Sequence, residues 1–148
     1  MITRCYPDRP ILAVGAIVVK EGHVLLARRG KEPSYGLWSV PGGAVHVGES
    51  LKLATQREIR EECGIEVDLT EVIEVVERMV RDGSGRIQYH YVIVDYLARW
   101  VSGELTASSE VLEARWVPPG SFPEYPMTVG TAEVIHRMLE AGKRAGVV

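Results

Sequence analysis

The feature that most constrains this chain is a glycine-rich segment that leads directly into an acidic helix. Three glycines fall within residues 41–48, and the pattern that follows predicts a helix from about Ser50 to Cys63. Ser50, or Glu49 before it, is placed to cap the first turn, and Gly64 is placed to end the helix in a left-handed conformation. A glycine-rich loop at a helix start allows backbone amide groups to approach a phosphate closely.

The predicted helix concentrates carboxylates on one side. At about 100° per residue, Glu58 and Glu62 share a face, and Glu61 flanks that face. Arg57 can reach Glu61, four residues on, but it is a single partner for a cluster of carboxylates. Runs of Glu and Arg on helices are commonly solvated faces. The neighbouring loop favours a metal site instead, because an acidic cluster repels phosphate unless a cation lies between them, and Mg²⁺ prefers carboxylate oxygens.

Composition excludes several classes of protein. Hydrophobic residues make up 46% of the 148 residues and charged residues 25%, so the chain has enough apolar surface to form a core. The net charge of −3 carries no signature of nucleic-acid or anionic-membrane binding, and we expect neither partner. Two cysteines are too few for a disulfide framework, which favours a reduced, cytoplasmic location. No apolar run approaches the ~18 residues that a membrane-spanning helix needs.

The order of the predicted elements indicates a layered α/β domain. We expect strands at residues 11–19, 24–27, 37–40, 65–81, 86–100 and 114–117, and a closing amphipathic helix at residues 128–143. A turn at residues 82–85 joins the two long strands into a hairpin. Strands, helix, strands and helix in this order predict a mixed sheet covered by helices, in one α/β (α+β layered) domain over residues 1–148.

The glycine and acidic residues together resemble the Nudix box of the Nudix hydrolases. Gly43, Glu49 and the run Arg-Glu-Ile-Arg-Glu-Glu-Cys-Gly-Ile at residues 57–65 match the box at its defining positions. Residues 37–43 look like the family's approach to the box, and residues 113–117 look like its downstream strand. The resemblance therefore covers most of the chain.

This resemblance implies an α/β/α sandwich and an enzyme that hydrolyses a nucleoside diphosphate linked to another group. The metal ligands that it implies are Glu58, Glu61, Glu62 and the carbonyl group of Gly43. The implied cofactor is Mg²⁺, with Mn²⁺ as an alternative. Arg57 is expected to orient the carboxylates through Glu61, and Glu49 is expected to hold the loop against the helix. Cys63 stands where Thr is common in the family, and we expect a small buried residue there.

The resemblance leaves the general base open between two carboxylates. We favour Glu110, in the polar segment before Trp116, and Glu58 is the alternative. Glu110 fits a loop surface charge equally well, and Glu113 fits the polar edge of a strand. The residues that we expect to bind substrate are Arg28, Trp38, Gly42 and Gly43. Trp38 also fits a position at the edge of the core.

The substrate favoured by the resemblance is ADP-ribose, cleaved to AMP and ribose 5-phosphate. Residues 89–96 and the sequence around Trp38 look similar to small bacterial ADP-ribose pyrophosphatases. The chain lacks the proline that one ADP-ribose group carries downstream of the box, and Met79 and Val80 stand there. A hydrolase of nucleoside triphosphates or oxidised nucleotides is the alternative enzyme, and a nucleotide-sensing domain without turnover is the alternative of another class. We expect a monomer or a homodimer.

Overall fold

A computed structural model describes residues 4–148 of the chain. Over these residues it contains seven strands, two α-helices and one short 3-10 helix. The strands are β1 Ile11–Lys20, β2 His23–Arg29, β3 Trp38–Ser39, β4 Gly42–Ala44, β5 Glu66–Arg81, β6 Ile87–Ser102 and β7 Val111–Val117. The helices are α1 Leu51–Cys63 and α2 Thr131–Ala145, and the 3-10 helix spans Pro119–Glu124.

The strands form one mixed sheet in the order β3-β2-β1-β6-β5, with β4 added to β1 and β7 added to β2. The long β1 and β6 run parallel, whereas the other pairs are antiparallel. Alternate side chains of β1 point to opposite faces, so Ala16 and Val18 pack with Ile59 of α1 while Ile17 packs with Ile135 of α2. The mixed sheet with a helix on each face confirms the predicted fold class.

The ends of α1 follow the local signals in the sequence. The hydroxyl group of Ser50 accepts a hydrogen bond from the backbone N–H of Leu53 at 3.2 Å. Gly64 adopts a φ of 75°, and its N–H donates to the carbonyl of Arg60 at 3.0 Å. Both contacts satisfy backbone groups that a helix end leaves unpaired. The predicted caps are therefore confirmed, and Cys63 is buried as expected.

Several predicted elements differ from the structure in extent, among them β7, which begins at Val111 rather than at residue 114. The glycine-rich segment contains a short strand, β4, because β1 pairs with β2 only near their connecting turn and leaves its edge open to Gly42–Ala44. The closing helix begins at Thr131 rather than residue 128, since Gly130 before it has a left-handed φ of 81°. No helix within residues 4–148 is long and apolar enough to span a membrane.

Gly42 lets β4 lie unusually close to β1. A Cβ atom at this position would fall inside the contact distance of the Val14 carbonyl oxygen, which is backbone and has no rotamer to change. Only glycine therefore permits this approach, and the approach sets the position of the following Gly43. This close contact between β4 and β1 therefore fixes the position of the following loop relative to α1.

Replacing Gly42 with Ala is expected to destabilise the fold by about 1–3 kcal/mol or more, since backbone must shift to admit the methyl group. The free energy of unfolding from urea denaturation measures the change. Gly83→Ala is the control, because a Cβ there meets no atom within 4 Å, and we expect a change within about 0.5 kcal/mol. Equal effects of the two substitutions would contradict the close-approach interpretation.

Asp95 is one of three acidic residues that are buried within residues 4–148, together with Glu58 and Glu62. It lies in β6 on the face toward α2, between Ile93 and Leu97, and it is 6% exposed. Within residues 4–148, its buried Oδ1 atom has no hydrogen-bond partner. Burial, with a smaller contribution from the Glu74 carboxylate, raises the pKa of Asp95 to about 7. The folded chain therefore retains a proton that the unfolded chain releases at lower pH.

Replacing Asp95 with Asn is expected to remove a pH-dependent loss of stability. Because the folded-state pKa is raised, the contribution of this group is fully present below its ordinary pKa and is lost as the pH rises toward about 7. Between about pH 5 and about pH 8, the free energy of unfolding of the wild type should fall by up to about 3 kcal/mol relative to the variant.

Urea denaturation across this pH range measures the difference. Asp68→Asn, at an exposed position of β5, is the matched control and should follow the wild-type pH profile. A profile for Asp95→Asn that also runs parallel to the wild type would show that burial does not perturb the Asp95 carboxyl group.

Candidate active site

Glu58 and Glu62 are buried one helical turn apart, against the backbone of β4. They are 8% and 6% exposed, respectively. The N–H of Gly42 donates to Oε1 of Glu62 at 3.0 Å. A Cβ on Gly43 would lie only 2.5–2.7 Å from the carboxyl atoms of Glu58, so the absence of a side chain there admits the carboxylate. The loop and the helix therefore meet through these two acidic groups.

Burial has an electrostatic consequence for Glu62. Desolvation raises the pKa of Glu62 to about 7, and the nearby Glu58 carboxylate raises it further, against the opposing hydrogen bond from Gly42. A carboxylate so placed is stabilised by any positive charge that enters the site. The geometry therefore favours binding of a cation at this pair.

Arg57 supplies positive charge beside the buried pair. Its guanidinium group donates to Glu49 at 2.5 and 2.9 Å, to Glu58 at 2.9 Å and to Glu61 at 3.2 Å. It also donates to the carbonyl of Ala44 at 3.2 Å. One side chain thus joins three acidic groups of the box to the loop. The sequence predicted contact through Glu61, but the two-point contact with Glu49 is shorter.

Glu49 is held firmly in its ionised form. The Arg57 guanidinium lowers the pKa of Glu49 to about 2, and the N–H of His46 donates a further hydrogen bond to the carboxylate at 3.0 Å. Because His46 and Ala44 belong to the loop, Glu49 and Arg57 together tie the loop to α1. This arrangement matches the role that the sequence predicts for Glu49.

Glu61 differs from the other two predicted metal ligands in its exposure. Its side chain is 59% exposed and lies four residues from its partner Arg57. Across the described residues, no three His, Cys, Asp or Glu side chains converge closely enough to form a metal site in this arrangement. The donor set still fits a hard divalent cation, because Glu58 and Glu62 present carboxylate oxygens beside a glycine backbone.

A cleft of about 380 Å³ opens next to this pair, on the face of the sheet that carries α2. Gly42, Gly43 and Ala44 line it, so the predicted loop forms part of its wall. Residues of β1, β5 and β6, the start of α2 and several charged side chains line the rest. Its size and mixed lining are typical of a site for a small molecule.

Two arginines that line the cleft form no ion pair with any carboxylate of the described residues. Arg29 and Arg78 both line the cleft and are partly buried. They donate instead to the carbonyl of Pro33 at 2.7 Å and to the hydroxyl of Ser34 at 2.5 Å. Burial lowers the pKa of each guanidinium, and Arg29 lowers the pKa of Arg78 further. An anionic ligand would relieve this repulsion between like charges.

Glu110 lies close to the buried pair rather than at a remote surface. Its carboxylate forms an ion pair with Lys31 at 2.9 Å, which lowers the pKa of Glu110. Glu110, Lys31 and Glu62 line a cavity of about 20 Å³ together with Gly42. A cavity of this volume accommodates about one water molecule. The structure therefore brings together the favoured base and the predicted metal ligand, although they are distant in sequence.

The structure does not bring Arg28 or Trp38 to the cleft. Arg28 donates through Nε to the carbonyl of Gly36 at 3.0 Å. Trp38 is 7% exposed and packs edge-on against Tyr125, with ring centroids 5.1 Å apart. The side chains alternate along β2, so the neighbouring Arg29 faces the cleft. Trp38 belongs to the core, as its second interpretation predicts.

The polar cleft residues that sequence reasoning missed include Lys31, Arg78 and Asp95. For Asp95 a signal is present, because an aspartate interrupts the alternating apolar positions Ile93 and Leu97 of β6. For the basic residues no local signal exists, since exposed arginines and lysines are common in loops and at strand ends.

Comparison with known proteins shows the family to which the chain belongs. A family model described as NUDIX domain matches residues 9–138. A curated ADP-ribose pyrophosphatase of Methanocaldococcus jannaschii is 30% identical over 115 residues, which cover 78% of this chain and 66% of the relative. A curated NAD-capped RNA hydrolase of Haemophilus influenzae is 34% identical over 150 residues, which cover 95% of this chain and 53% of the relative.

A similar fold occurs in a crystal structure of a MutT NUDIX hydrolase from Burkholderia pseudomallei. The TM-score is 0.75 at 30% sequence identity, and the match covers 87% of this chain and 98% of that chain. The chain spans about half to two thirds of the length of the two curated relatives. The family match, however, runs from before β1 into α2 and includes the whole box. The chain therefore belongs to the NUDIX domain family, that of the Nudix hydrolases.

Proposed function

We propose that this protein is a Mg²⁺-dependent pyrophosphohydrolase that cleaves ADP-ribose to AMP and ribose 5-phosphate. The observation that carries the proposal is the burial of Glu58 and Glu62 against Gly42 and Gly43. These two glycines also line a cleft in which Arg29 and Arg78 form no ion pair with any carboxylate of the described residues. Carboxylates attract the cation, and the arginines attract the anionic substrate. The name of the M. jannaschii relative supports ADP-ribose as the substrate.

Nudix hydrolases generally use divalent metal ions. The residues of this chain that would hold the ion are Glu58, Glu61 and Glu62, with the carbonyl of Gly43 as a further oxygen donor. When bound, such an ion neutralises diphosphate charge and lowers the pKa of a bound water molecule. Mn²⁺ fits the same oxygen donors as an alternative.

The chain's own residues then position the substrate and the water. Arg29 and Arg78 line the cleft and would bind the charged groups of the substrate. Arg57 and Glu49 keep the loop and α1 in register, so that Glu58 and Glu62 present their carboxylates together at the proposed ion site. Most of the catalytic effect would come from this positioning and from charge stabilisation.

Glu110 is our proposal for the general base. It shares a cavity of about 20 Å³ with Glu62, which supports a role in holding one water molecule. The ion pair with Lys31 favours the ionised form of Glu110, which is the form that accepts a proton. Glu58 remains the alternative base. One of its carboxylate oxygens already accepts a hydrogen bond from Arg57 at 2.9 Å.

A single domain over residues 1–148, a cytoplasmic location, and a monomer or homodimer without nucleic-acid or membrane partners stay predictions from the sequence. The relative that is named an NAD-capped RNA hydrolase makes a capped RNA a useful additional test substrate.

Glu62→Gln is expected to abolish metal-dependent hydrolysis. It removes a charge from the proposed ion site while keeping the shape and the acceptor oxygen for Gly42. We expect kcat to fall by more than about 100-fold, since loss even of a group that supports a metal ligand costs about 10–100-fold. The assay is product chromatography after incubation with Mg²⁺ and ADP-ribose, a diadenosine polyphosphate, dNTPs, 8-oxo-dGTP or NAD-capped RNA.

Glu66→Gln is the matched control, because Glu66 is exposed and pairs only with Arg60 on the helix surface. The proposal is supported if the wild type and the control form AMP and ribose 5-phosphate from ADP-ribose and Glu62→Gln does not. If the only reaction observed is release of pyrophosphate from a nucleoside triphosphate, the proposed substrate ADP-ribose is wrong. Absence of Glu62-dependent turnover for every compound would favour a nucleotide-sensing domain.

Glu110→Gln is expected to lower kcat by at least about 100-fold with little change in KM, the range typical of a lost general base. The comparison variant is Glu113→Gln, which alters a carboxylate that is paired with Arg115 on the surface at 3.2 Å. Steady-state kinetics on ADP-ribose measures both. Wild-type kcat in Glu110→Gln would assign the base to another group, with Glu58 as the next candidate.

A further inference from the structure

Asp95 is a buried acidic group that the proposed hydrolysis does not use. Its buried Oδ1 atom accepts no hydrogen bond from the described residues, although the residue lines the cleft. A buried polar atom without a partner costs stability, and such atoms are rare in native proteins. A ligand that donates a hydrogen bond to this carboxyl group would remove the cost.

The chain makes room for this carboxyl group rather than covering it. Asp95 of β6 is the register partner of Gly15 in the parallel pair with β1. A Cβ atom on Gly15 would collide with Oδ1 of Asp95. Any other residue at position 15 would therefore displace the carboxyl group from the floor of the cleft. A purely structural role would instead need a partner for Asp95.

Charged neighbours do not supply that partner. Glu74 on β5 is opposite Asp95 in the antiparallel pair, and its carboxylate binds Arg137 of α2 at 2.5 and 3.2 Å. Glu133 of α2 also lines the cleft. Within residues 4–148, Asp95 forms no salt bridge with any arginine or lysine, including the cleft arginines Arg29 and Arg78. The carboxyl group is therefore available to a ligand.

The surroundings of Asp95 favour a nucleobase over a sugar or a phosphate. Val40, Val76 and Ile93 line the same cleft and offer apolar surface to a flat ring. A phosphate is disfavoured at Asp95 itself, because the carboxyl group would repel it and forms no salt bridge with either cleft arginine. Two strand spacings, about 10 Å, separate the backbone of Asp95 from that of Gly42. This separation is within the reach of a nucleoside whose diphosphate lies at the loop.

We propose that Asp95 determines base specificity by accepting a hydrogen bond from the exocyclic amino group of the adenine base. The proposal rests on the proposed function, because it places the nucleoside half of ADP-ribose in the cleft. An amino group satisfies the acceptor oxygen, whereas a base without one leaves it unpaired. A site built to bind a polar group discriminates strongly against an analogue that lacks that group.

The test measures binding, which requires no turnover. Calorimetry with AMP, purine riboside 5′-monophosphate and 2′-deoxy-AMP separates the amino group from the ribose hydroxyl. We expect the wild type to bind AMP at least about tenfold tighter than the purine nucleotide. Asp95→Leu should lower the affinity for AMP to that for the purine nucleotide, and the affinity for the purine nucleotide should not change. Asp95→Asn keeps an acceptor oxygen and should retain most of the preference.

Asp68→Leu is the matched control, because Asp68 is exposed on β5 and does not line the cleft. Circular dichroism establishes that each variant is folded. If Asp95→Leu does not fold, Asp95→Ala takes its place with the same expected result, because it also removes both carboxyl oxygens. An equal loss of affinity for all three nucleotides in Asp95→Leu would overturn the proposal in favour of a structural role. If the loss of affinity depends on the 2′-hydroxyl group and not on the amino group, Asp95 binds the ribose, and the proposal is likewise overturned.

Failure of this proposal is distinguishable from failure of the proposed function. If the protein hydrolyses ADP-ribose but wild-type binding does not depend on the amino group, the role of Asp95 is wrong and the activity stands. If it binds AMP with the expected preference but does not hydrolyse ADP-ribose, the base site stands and the reaction is wrong.

Discussion

The burial of two carboxylates of α1 against the backbone of β4 is the constraint on which the site depends. Glu58 fits because Gly43 has no side chain, and Glu62 is held by the N–H of Gly42. Two acidic groups in this position repel each other, so the arrangement requires positive charge from a side chain or an ion. Arg57 provides part of that charge and at the same time fastens the loop.

The second consequence is a separation of charge between the carboxylate pair and the cleft, which meet at Gly42 and Gly43. The chain is acidic overall, with a net charge of −3, yet partly buried arginines line the cleft beside the carboxylate pair. Acidic groups on one side favour a cation, and basic groups on the other favour an anion. A substrate that carries its own phosphate groups together with a metal ion satisfies both sides. Glu62, Arg29 and Asp95 are buried and imperfectly paired, which lowers the stability of the fold. Such groups are typical of functional sites, where local stability is often lower.

Much of the fold could be predicted from local patterns. The caps of α1 at Ser50 and Gly64, the long hairpin of β5 and β6 and the shared face of Glu58 and Glu62 all depend on residues a few positions apart. The extra strand β4 could not be predicted, because it forms only where β1 leaves β2 and exposes an edge. Propensity alone favoured a loop at those glycines.

The sequence by itself determined the acidic helix, its glycine-rich approach and the family to which the chain belongs. Tertiary structure alone decided which other residues join the site. It selected Arg29 rather than Arg28, placed Glu110 beside Glu62, and placed Asp95 at the wall of the cleft with no hydrogen-bond partner for Oδ1 among residues 4–148. The physical reason is that helix periodicity and capping act over one or two turns, whereas these contacts follow from pairing between strands that are far apart in the chain.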